Sequence, residues 1–138
     1  MKRPNHLITV LALALLSAGC AANAERRQMQ DEELAVYLRH AGEPVDQIRS
    51  FRYIGWQPVG DNSLLLEARL NDWYLIEVGG PCLGLAFART IGFRNQMNTL
   101  QAKFDHIIVD REHCQIAAIR PVDYKAARAE FRALEADD

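Results

Sequence analysis

The residues of this sequence that offer the widest range of chemistry are its three cysteines, Cys20, Cys82 and Cys114. Cys20 follows an apolar run and three small residues, a position that is typical of a lipid-modified cysteine. Cys82 and Cys114 are far apart, whereas a redox pair of the thioredoxin kind has two residues between its cysteines. The separation favours a structural disulfide, and a redox-active pair or a nucleophilic cysteine assisted by His106 or His113 is the alternative.

The four histidines raise the question of a metal site. His6 lies in the amino-terminal segment, and His40 ends a predicted helix. The other two have three acidic residues near them, around one predicted turn: His106, His113, Asp105, Asp110 and Glu112. A zinc site needs three or four convergent ligands, usually with a close pair at a recognisable spacing. The pattern is more typical of a charged hairpin turn, and we predict neither a metal site nor a cofactor.

Asp105 and Arg120 are a further candidate pair. Asp105 follows Phe104 on a predicted strand, so these two side chains point to opposite faces. Arg120 can reach Asp105 if the fourth and fifth predicted strands pair. We predict a polar pair with an architectural role, and a contact with a ligand is the alternative.

The remaining motifs do not complete a catalytic site. Gly79-Gly80 and Gly84 lack the spacing of a phosphate-binding loop, and no Walker lysine is present. Ser50 and Ser63 lack the context of a nucleophile elbow. The sequence therefore predicts a protein that is not an enzyme.

The amino terminus has the features of an export signal. Lys2 and Arg3 precede an apolar run, Leu7–Leu16, and a polar stretch follows. A helix of such a run rises only about 15 Å, about half the thickness of a bilayer core. We therefore predict a removable signal peptide over residues 1–19 and no stable membrane span.

Two cleavage positions are open. Residues 16–20 (LSAGC) resemble the bacterial lipobox, with Ser17 where leucine is usual. Residues 22–24 (ANA) fit an ordinary secretory site, with cleavage before Glu25. We predict lipidation of Cys20, because it stands directly after the apolar run, where a chance cysteine would be unusual in an exported protein. Ala21, in place of an aspartate, is compatible with sorting to the outer membrane. A soluble periplasmic protein is the alternative.

The charge balance limits the partners. The chain has 16 basic and 18 acidic residues, and removal of Lys2 and Arg3 with the signal makes the mature chain more acidic. A mildly acidic chain argues against nucleic acid as a partner. It also argues against electrostatic adhesion to anionic lipid, so we expect membrane attachment through acyl chains.

The periodicity of the remaining residues predicts one small α+β domain over residues 31–138, with a polar tether over residues 20–30. A period of 3.6 predicts a helix over residues 31–41, and Asp123 can cap a second, carboxy-terminal helix. Between these helices we predict a curved antiparallel sheet of about five strands, closed by one disulfide. The predicted strands are residues 50–57, 64–70, 73–78, 101–109 and 114–119, with a helical turn within residues 82–90 and a loop over residues 92–99.

Four segments of the chain carry a resemblance to a known family. They are Gly55-Trp56, GPCLGL over residues 80–85, Phe104-Asp105, and CQIAAIRPVD over residues 114–123. As a set they resemble an uncharacterised family of small exported proteobacterial proteins, a domain of unknown function in which many members carry lipoprotein signals. The resemblance covers about residues 45–123. It implies an envelope location and a paired Cys82 and Cys114, and it implies no activity.

These observations favour a non-enzymatic envelope lipoprotein that binds a partner, such as another envelope protein, or supports an assembly. The alternative is a module that binds a small or lipid-like ligand on the concave face of the sheet. The aromatic residues Trp56, Trp73, Tyr53 and Tyr74 fit either function, although in so small a sheet they more often fill the core. A hydrolase or redox enzyme is the third hypothesis.

Overall fold

The computed structural model describes the backbone of residues 6–137 and the side chains of residues 21–137. Helix α1 (His6–Arg39) opens this part of the chain, and helix α2 (Tyr124–Ala136) closes it. The strands between them are β1 (Gln47–Ile48), β2 (Gly55–Val59), β3 (Ser63–Arg69), β4 (Asp72–Val78), β5 (Gly92–Arg94), β6 (Leu100–Gln101), β7 (His106–Val109) and β8 (Glu112–Val122). A 3₁₀ turn, Leu85–Phe87, lies between β4 and β5.

The main sheet has six antiparallel strands in the order β2-β3-β4-β8-β7-β5, and β1 and β6 form a separate pair. The sheet curls until its two ends meet. Phe51, just before β2, packs against Phe93 of β5 with their ring centroids 5.0 Å apart. Tyr53 contacts the same ring at 5.6 Å. The predicted fold class, a curved antiparallel sheet flanked by two helices and closed by a disulfide, is confirmed.

Strand β3 explains how both faces of the sheet are buried. Leu64 and Leu66 point into the curl, whereas Leu65 between them points to the helices, and all three are 0% exposed. Successive side chains of a strand point to opposite faces, so an apolar run of this kind fits a strand that is covered on both sides. The domain therefore has two apolar layers, one inside the curl and one under the helices.

The helices cover the outer face through aromatic side chains. Tyr37 of α1 is 0% exposed and stacks on Tyr124 of α2, with centroids 6.3 Å apart. The ring of Trp73 in β4 also stacks on Tyr124, with ring centroids 4.1 Å apart. The carboxylate of Asp123 accepts a hydrogen bond from the backbone N–H of Ala126 at 2.9 Å, which confirms the predicted cap of α2.

The segment that we predicted to be a polar tether, residues 20–30, is helical. Residues 21–30 belong to α1, which runs without a break from His6 to Arg39. Nearly all of their side chains are exposed, and a helix that is solvated on most sides carries no apolar stripe that would reveal it. The predicted signal peptide over residues 1–19 and the side chain of Cys20 lie outside the residues whose side chains are described. Over the described residues, no helix combines the length and the apolar character that a membrane crossing requires.

Two strand predictions and one loop prediction also need correction. The first predicted strand, over residues 50–57, lies at Gly55–Val59. Ser50 has a left-handed backbone (φ 54°), and Arg52 and Ile54 donate hydrogen bonds to the next strand outside the regular ladder. The predicted loop over residues 92–99 contains β5. The predicted strand over residues 101–109 is two strands, since Lys103 has φ 70° and turns the chain between β6 and β7.

Candidate functional site

The disulfide between Cys82 and Cys114 fixes the loop after β4 to the start of β8. The two Cα atoms are 5.8 Å apart, and the residues are only 2% and 4% exposed. Both belong to the apolar layer inside the curl. The sulfur atoms are thus part of the core, where solvent and a protein partner do not reach them.

The loop over residues 79–88, here called the disulfide loop, is held at several points along its length. Gly79 donates its N–H to the carbonyl of Gln115 at 2.9 Å, and Gly80 turns the chain with φ 77°. Leu85 is fully buried, and its N–H donates to the carbonyl of Cys82 at 3.1 Å. The loop therefore has a fixed conformation, although it carries little regular structure.

Glu112 joins the two cysteines in a tight group. Its carboxylate accepts a hydrogen bond from the N–H of Gly84 at 3.5 Å, and one of its oxygens and the two sulfur atoms all lie within 4.8 Å of one another. Two thiolates and a carboxylate are zinc-ligand types, but sulfur atoms that are joined in a disulfide are not thiolates. In the part of the chain that the structure describes, no other three cysteine, histidine or acidic side chains converge in this way.

The histidines near this group remain a separate pair. His106 and His113 face each other across β7 and β8 with ring centroids 6.4 Å apart. Asp105, Asp110 and Glu112, the acidic residues near them in the sequence, do not converge with them on one point. The arrangement supplies two neighbouring imidazoles on the sheet.

Asp105 has an architectural position and does not pair with Arg120. It is 8% exposed, and its carboxylate accepts the backbone N–H of Gln101 at 2.7 Å, which closes the turn between β6 and β7. Its own carbonyl accepts from the N–H of Ile116 at 3.0 Å. Asp105 is thus aligned with Ile116 on β8. Ile116 is four residues before Arg120, a distance of about 13 Å along a strand.

Arg120 lies instead beside β4. It is opposite Leu75 in the register, and its Nε atom is 3.8 Å from a carboxylate oxygen of Glu77. That Nε atom is buried and has no hydrogen-bond partner among the described residues. The predicted pair is therefore wrong as a direct contact. In the observed register of β7 and β8, Arg120 lies beyond the end of β7.

A charged cluster between the helices was missed by sequence reasoning. Glu130 of α2 accepts hydrogen bonds from the guanidinium of Arg39, and its other oxygen is 2.6 Å from Nε2 of His40. The hydrogen bonds from Arg39, and then the contact with His40, lower the pKa of Glu130 below its usual 4.5. The sequence placed His40 at the end of a helix, but its partner lies 90 residues away, which local spacing does not reveal.

The aromatic candidates do not line a common pocket. Trp56 and Tyr74 pack against the inner apolar layer, and Trp73 joins the layer under the helices. The hydroxyl of Tyr74 donates to Asp72 at 3.3 Å, and burial raises the pKa of this tyrosine. Tyr53 is 47% exposed on the seam where the sheet closes.

Of the grooves on the described surface beside α1, two are also lined by residues outside that helix. The first, with a volume of about 340 Å³, lies between α1 and the disulfide loop, and here it is called the loop groove. Arg26 and Arg27 line it on the helix side, and Leu83 and Phe87 on the loop side. The second, about 560 Å³, runs between α1 and α2 and includes Met29, Val36, Phe131 and Leu134.

The comparison that decides the family is with models of protein families. One such model, described as a family of unknown function, DUF6491, matches residues 1–138. The chain belongs to DUF6491. The description of DUF6491 assigns no activity, ligand or partner. Comparisons of this DUF6491 chain with curated proteins and with solved structures gave no match.

Proposed function

We propose that this DUF6491 protein is a non-enzymatic lipoprotein of the bacterial envelope. In this proposal the lipid on Cys20 holds the domain to a membrane, preferably the outer membrane, with the domain in the periplasm. There it binds another envelope protein or supports an assembly. The lipobox-like LSAGC segment after a short apolar run supports the anchor, and the family resemblance in sequence agrees with it.

We place the binding role on the outer surface and not in an internal pocket. The observation that best supports this is that side chains fill the interior of the curled sheet. The inner layer contains Leu64, Leu66, Ile76, Leu100 and Ile107, all 0% exposed. A protein that holds a small ligand usually keeps a concave, mostly apolar pocket with a few convergent polar groups. Here side chains occupy the position where a ligand would lie on the concave face.

The distribution of reactive side chains supports a role without catalysis. Cys82 and Cys114 are consumed in a buried disulfide, so neither is a thiolate nucleophile. Asp105 is used by a turn, and Glu130 by an ion pair between helices. Catalysis, by contrast, needs a base or nucleophile within hydrogen-bond reach of a reacting atom, in a site that substrate can enter.

A second candidate function, the binding of a lipid-like ligand, is favoured by the groove between α1 and α2. The side chains of Met29 and Leu134 there are 63% and 52% exposed, and Phe131 lies between them and the core. An acyl chain could lie along this groove. The groove is open along its length, however, so it would cover only one side of such a ligand.

Fractionation and lipid labelling test the anchor together. The full chain is expressed in a bacterial host with an alkyne fatty acid in the medium, and the membrane and soluble fractions are compared. We expect the label on the wild-type protein in the membrane fraction. We expect no label on Cys20→Ser, since the acyl acceptor is gone. An unlabelled wild-type protein in the soluble periplasmic fraction would contradict the proposal.

Native mass spectrometry of the detergent-extracted protein separates the two candidate functions. Partner binding predicts a complex with a second polypeptide and no small molecule on the free chain. Ligand binding predicts an added mass of a few hundred daltons. Leu134→Glu should remove that mass if the ligand lies between the helices, and Leu70→Glu, at another exposed leucine (79% exposed), is the control.

A further inference from the structure

The loop groove carries an inference that rests on the proposed anchoring and extends it. We infer that its rim is a membrane-contact surface, with Leu83 and Phe87 inserted among phospholipid headgroups and Arg26 and Arg27 bound to anionic phosphates. The anchor would then fix an orientation of the domain as well as a location.

Exposure of apolar side chains is the first observation. Leu83 is 80% exposed and Phe87 is 74% exposed, although Leu85 between them is completely buried. Clustered exposed apolar residues beside charged ones are typical of a contact surface. Here the two side chains stand on one rim of the same groove.

The second observation is that the loop holds these side chains in place. The disulfide fixes Cys82, and Leu85 is locked in the core. Within the turn, the N–H of Phe87 donates to the carbonyl of Gly84 at 3.2 Å. Membrane contact would therefore require little additional ordering of the loop, which is a condition for effective binding by a small patch.

The third observation is the position of the rim along α1. Arg26 and Arg27 lie on the same continuous helix as position 20, and six residues of helix rise about 9 Å. An interfacial segment buries its apolar face about 5–10 Å into the boundary between headgroups and acyl chains. A lipid on Cys20 would thus hold the loop groove within reach of the headgroups.

Local charge is the fourth observation. Arg26 and Arg27 are exposed, and neither has an ion pair within the described part of the chain. Asp61 also lines the groove, so the rim has two cations and one anion although the chain as a whole is acidic. Juxtamembrane arginines are attracted to anionic headgroups. The occupant that matches both the apolar and the cationic side chains is an anionic bilayer surface.

The chain offers closely matched controls. Leu70 is 79% exposed and Phe104 is 74% exposed, almost the same as Leu83 and Phe87. Leu70 follows β3 at the end opposite to Asp61, and Phe104 precedes β7, whose other end, Val109, lies against Gly84. The controls therefore stand at strand ends that point away from the loop groove.

Fluorescence quenching tests the contact in the full chain. Membrane-extracted Phe87→Trp and Phe104→Trp proteins are reconstituted into vesicles of phosphatidylethanolamine and phosphatidylglycerol that contain brominated phospholipid. The wild-type signal, from Trp56 and Trp73, is subtracted. We expect at least about twofold stronger quenching at position 87 than at position 104, because the apolar face of an interfacial segment lies about 5–10 Å deep. Leu83→Ser should reduce the quenching at position 87, and Leu70→Ser should leave it unchanged.

The outcomes separate this inference from the proposed function. Equal quenching at positions 87 and 104, or none at position 87, in a protein that fractionates with membranes overturns the contact surface and leaves the anchor intact. Recovery of the wild-type protein in the soluble fraction overturns the anchor and this inference with it. Quenching at position 87 that persists when phosphatidylglycerol is replaced by phosphatidylcholine overturns the role of the arginines.

Discussion

Gly84 lies so close to Val109 that a Cβ atom on residue 84 would stand 2.9 Å from Cγ1 of Val109. This approach closes the disulfide loop over the end of β7 and brings the N–H of Gly84 to Glu112. It explains a glycine at a position where the backbone itself is ordinary, with φ −84°. The loop conformation thus depends on the absence of a Cβ atom at residue 84 as well as on the disulfide.

Gly84→Ala should therefore destabilise the domain. Overpacking of a close contact typically costs about 1–3 kcal/mol, and urea unfolding followed by circular dichroism measures the change. Gly79→Ala is the matched control, because its Cβ would meet Ala117 at an ordinary 3.6 Å. An equal loss of stability in the two variants would show that the contact with Val109 is not the cause.

Removal of the disulfide should cost more. Cys82→Ala/Cys114→Ala is expected to lose about 2–5 kcal/mol of unfolding free energy, the usual range for a small secreted domain. Because the two sulfur atoms are joined in a disulfide, neither cysteine should react with a thiol reagent in the native protein. Because both residues are buried, mild reductant should leave the bond intact. A redox-active pair would instead reduce readily and form mixed disulfides in single-cysteine variants. Thiol trapping in whole cells distinguishes these results, and free thiols in the native envelope would refute the structural disulfide.

The Glu130 cluster should make stability depend on acid pH. The pKa of Glu130 is lowered in the folded state by the hydrogen bonds from Arg39. A carboxylate whose folded pKa is below its unfolded pKa contributes stability above the unfolded value, and that contribution is lost as pH falls through the folded value. The pH range in which this stabilisation is lost therefore lies below about pH 4.5. Glu130→Gln should lower the urea midpoint at pH 6 and reduce its decline between pH 5 and 3, relative to wild type.

Glu135→Gln is the control for this prediction. Glu135 is an exposed carboxylate on the same helix, and it has no ion pair in the described part of the chain. If Glu135→Gln changes the decline of the urea midpoint at acid pH as much as Glu130→Gln does, the effect is due to the charge of α2 and not to the contact with Arg39.

Asp105 and Arg120 should act independently of each other. Asp105→Ala is expected to cost about 1–3 kcal/mol, because it leaves the partly buried N–H of Gln101 without its acceptor. Arg120→Met should have a small effect or stabilise the fold, since the Nε atom of Arg120 is buried without a hydrogen bond. In a double-mutant cycle the two effects should add within about 0.5 kcal/mol. A larger coupling energy would indicate that the side chains interact after all.

The sequence contained enough information for the elements that local patterns determine. The alternating apolar residues over positions 64–70 indicated β3, although Leu65 on the other face is buried as well. Asp123 indicated the start of α2, because its side chain caps a neighbouring backbone N–H. The separation of Cys82 and Cys114 was enough to favour a structural disulfide over a redox pair. These features depend on residue type and on short spacing.

The remaining features depend on contacts between distant parts of the chain. Gly92–Arg94 is a strand only because it pairs with β7, and no periodicity in three residues can show this. The partner of Arg120 follows from the register of β4 and β8, and a local pattern does not fix which residues face each other. The polar segment over residues 21–30 is helical as a continuation of α1, with no apolar stripe of its own.

The measurement that tests the central claim most directly is mass spectrometry of the amino-terminal peptide of the mature protein isolated from cells. We predict a peptide that begins at Cys20 and carries the mass of a diacylglycerol group, with or without a further acyl chain on its amino group. An unmodified peptide that begins at Glu25 would contradict the account, because the protein would then be an ordinary secreted protein without a lipid anchor.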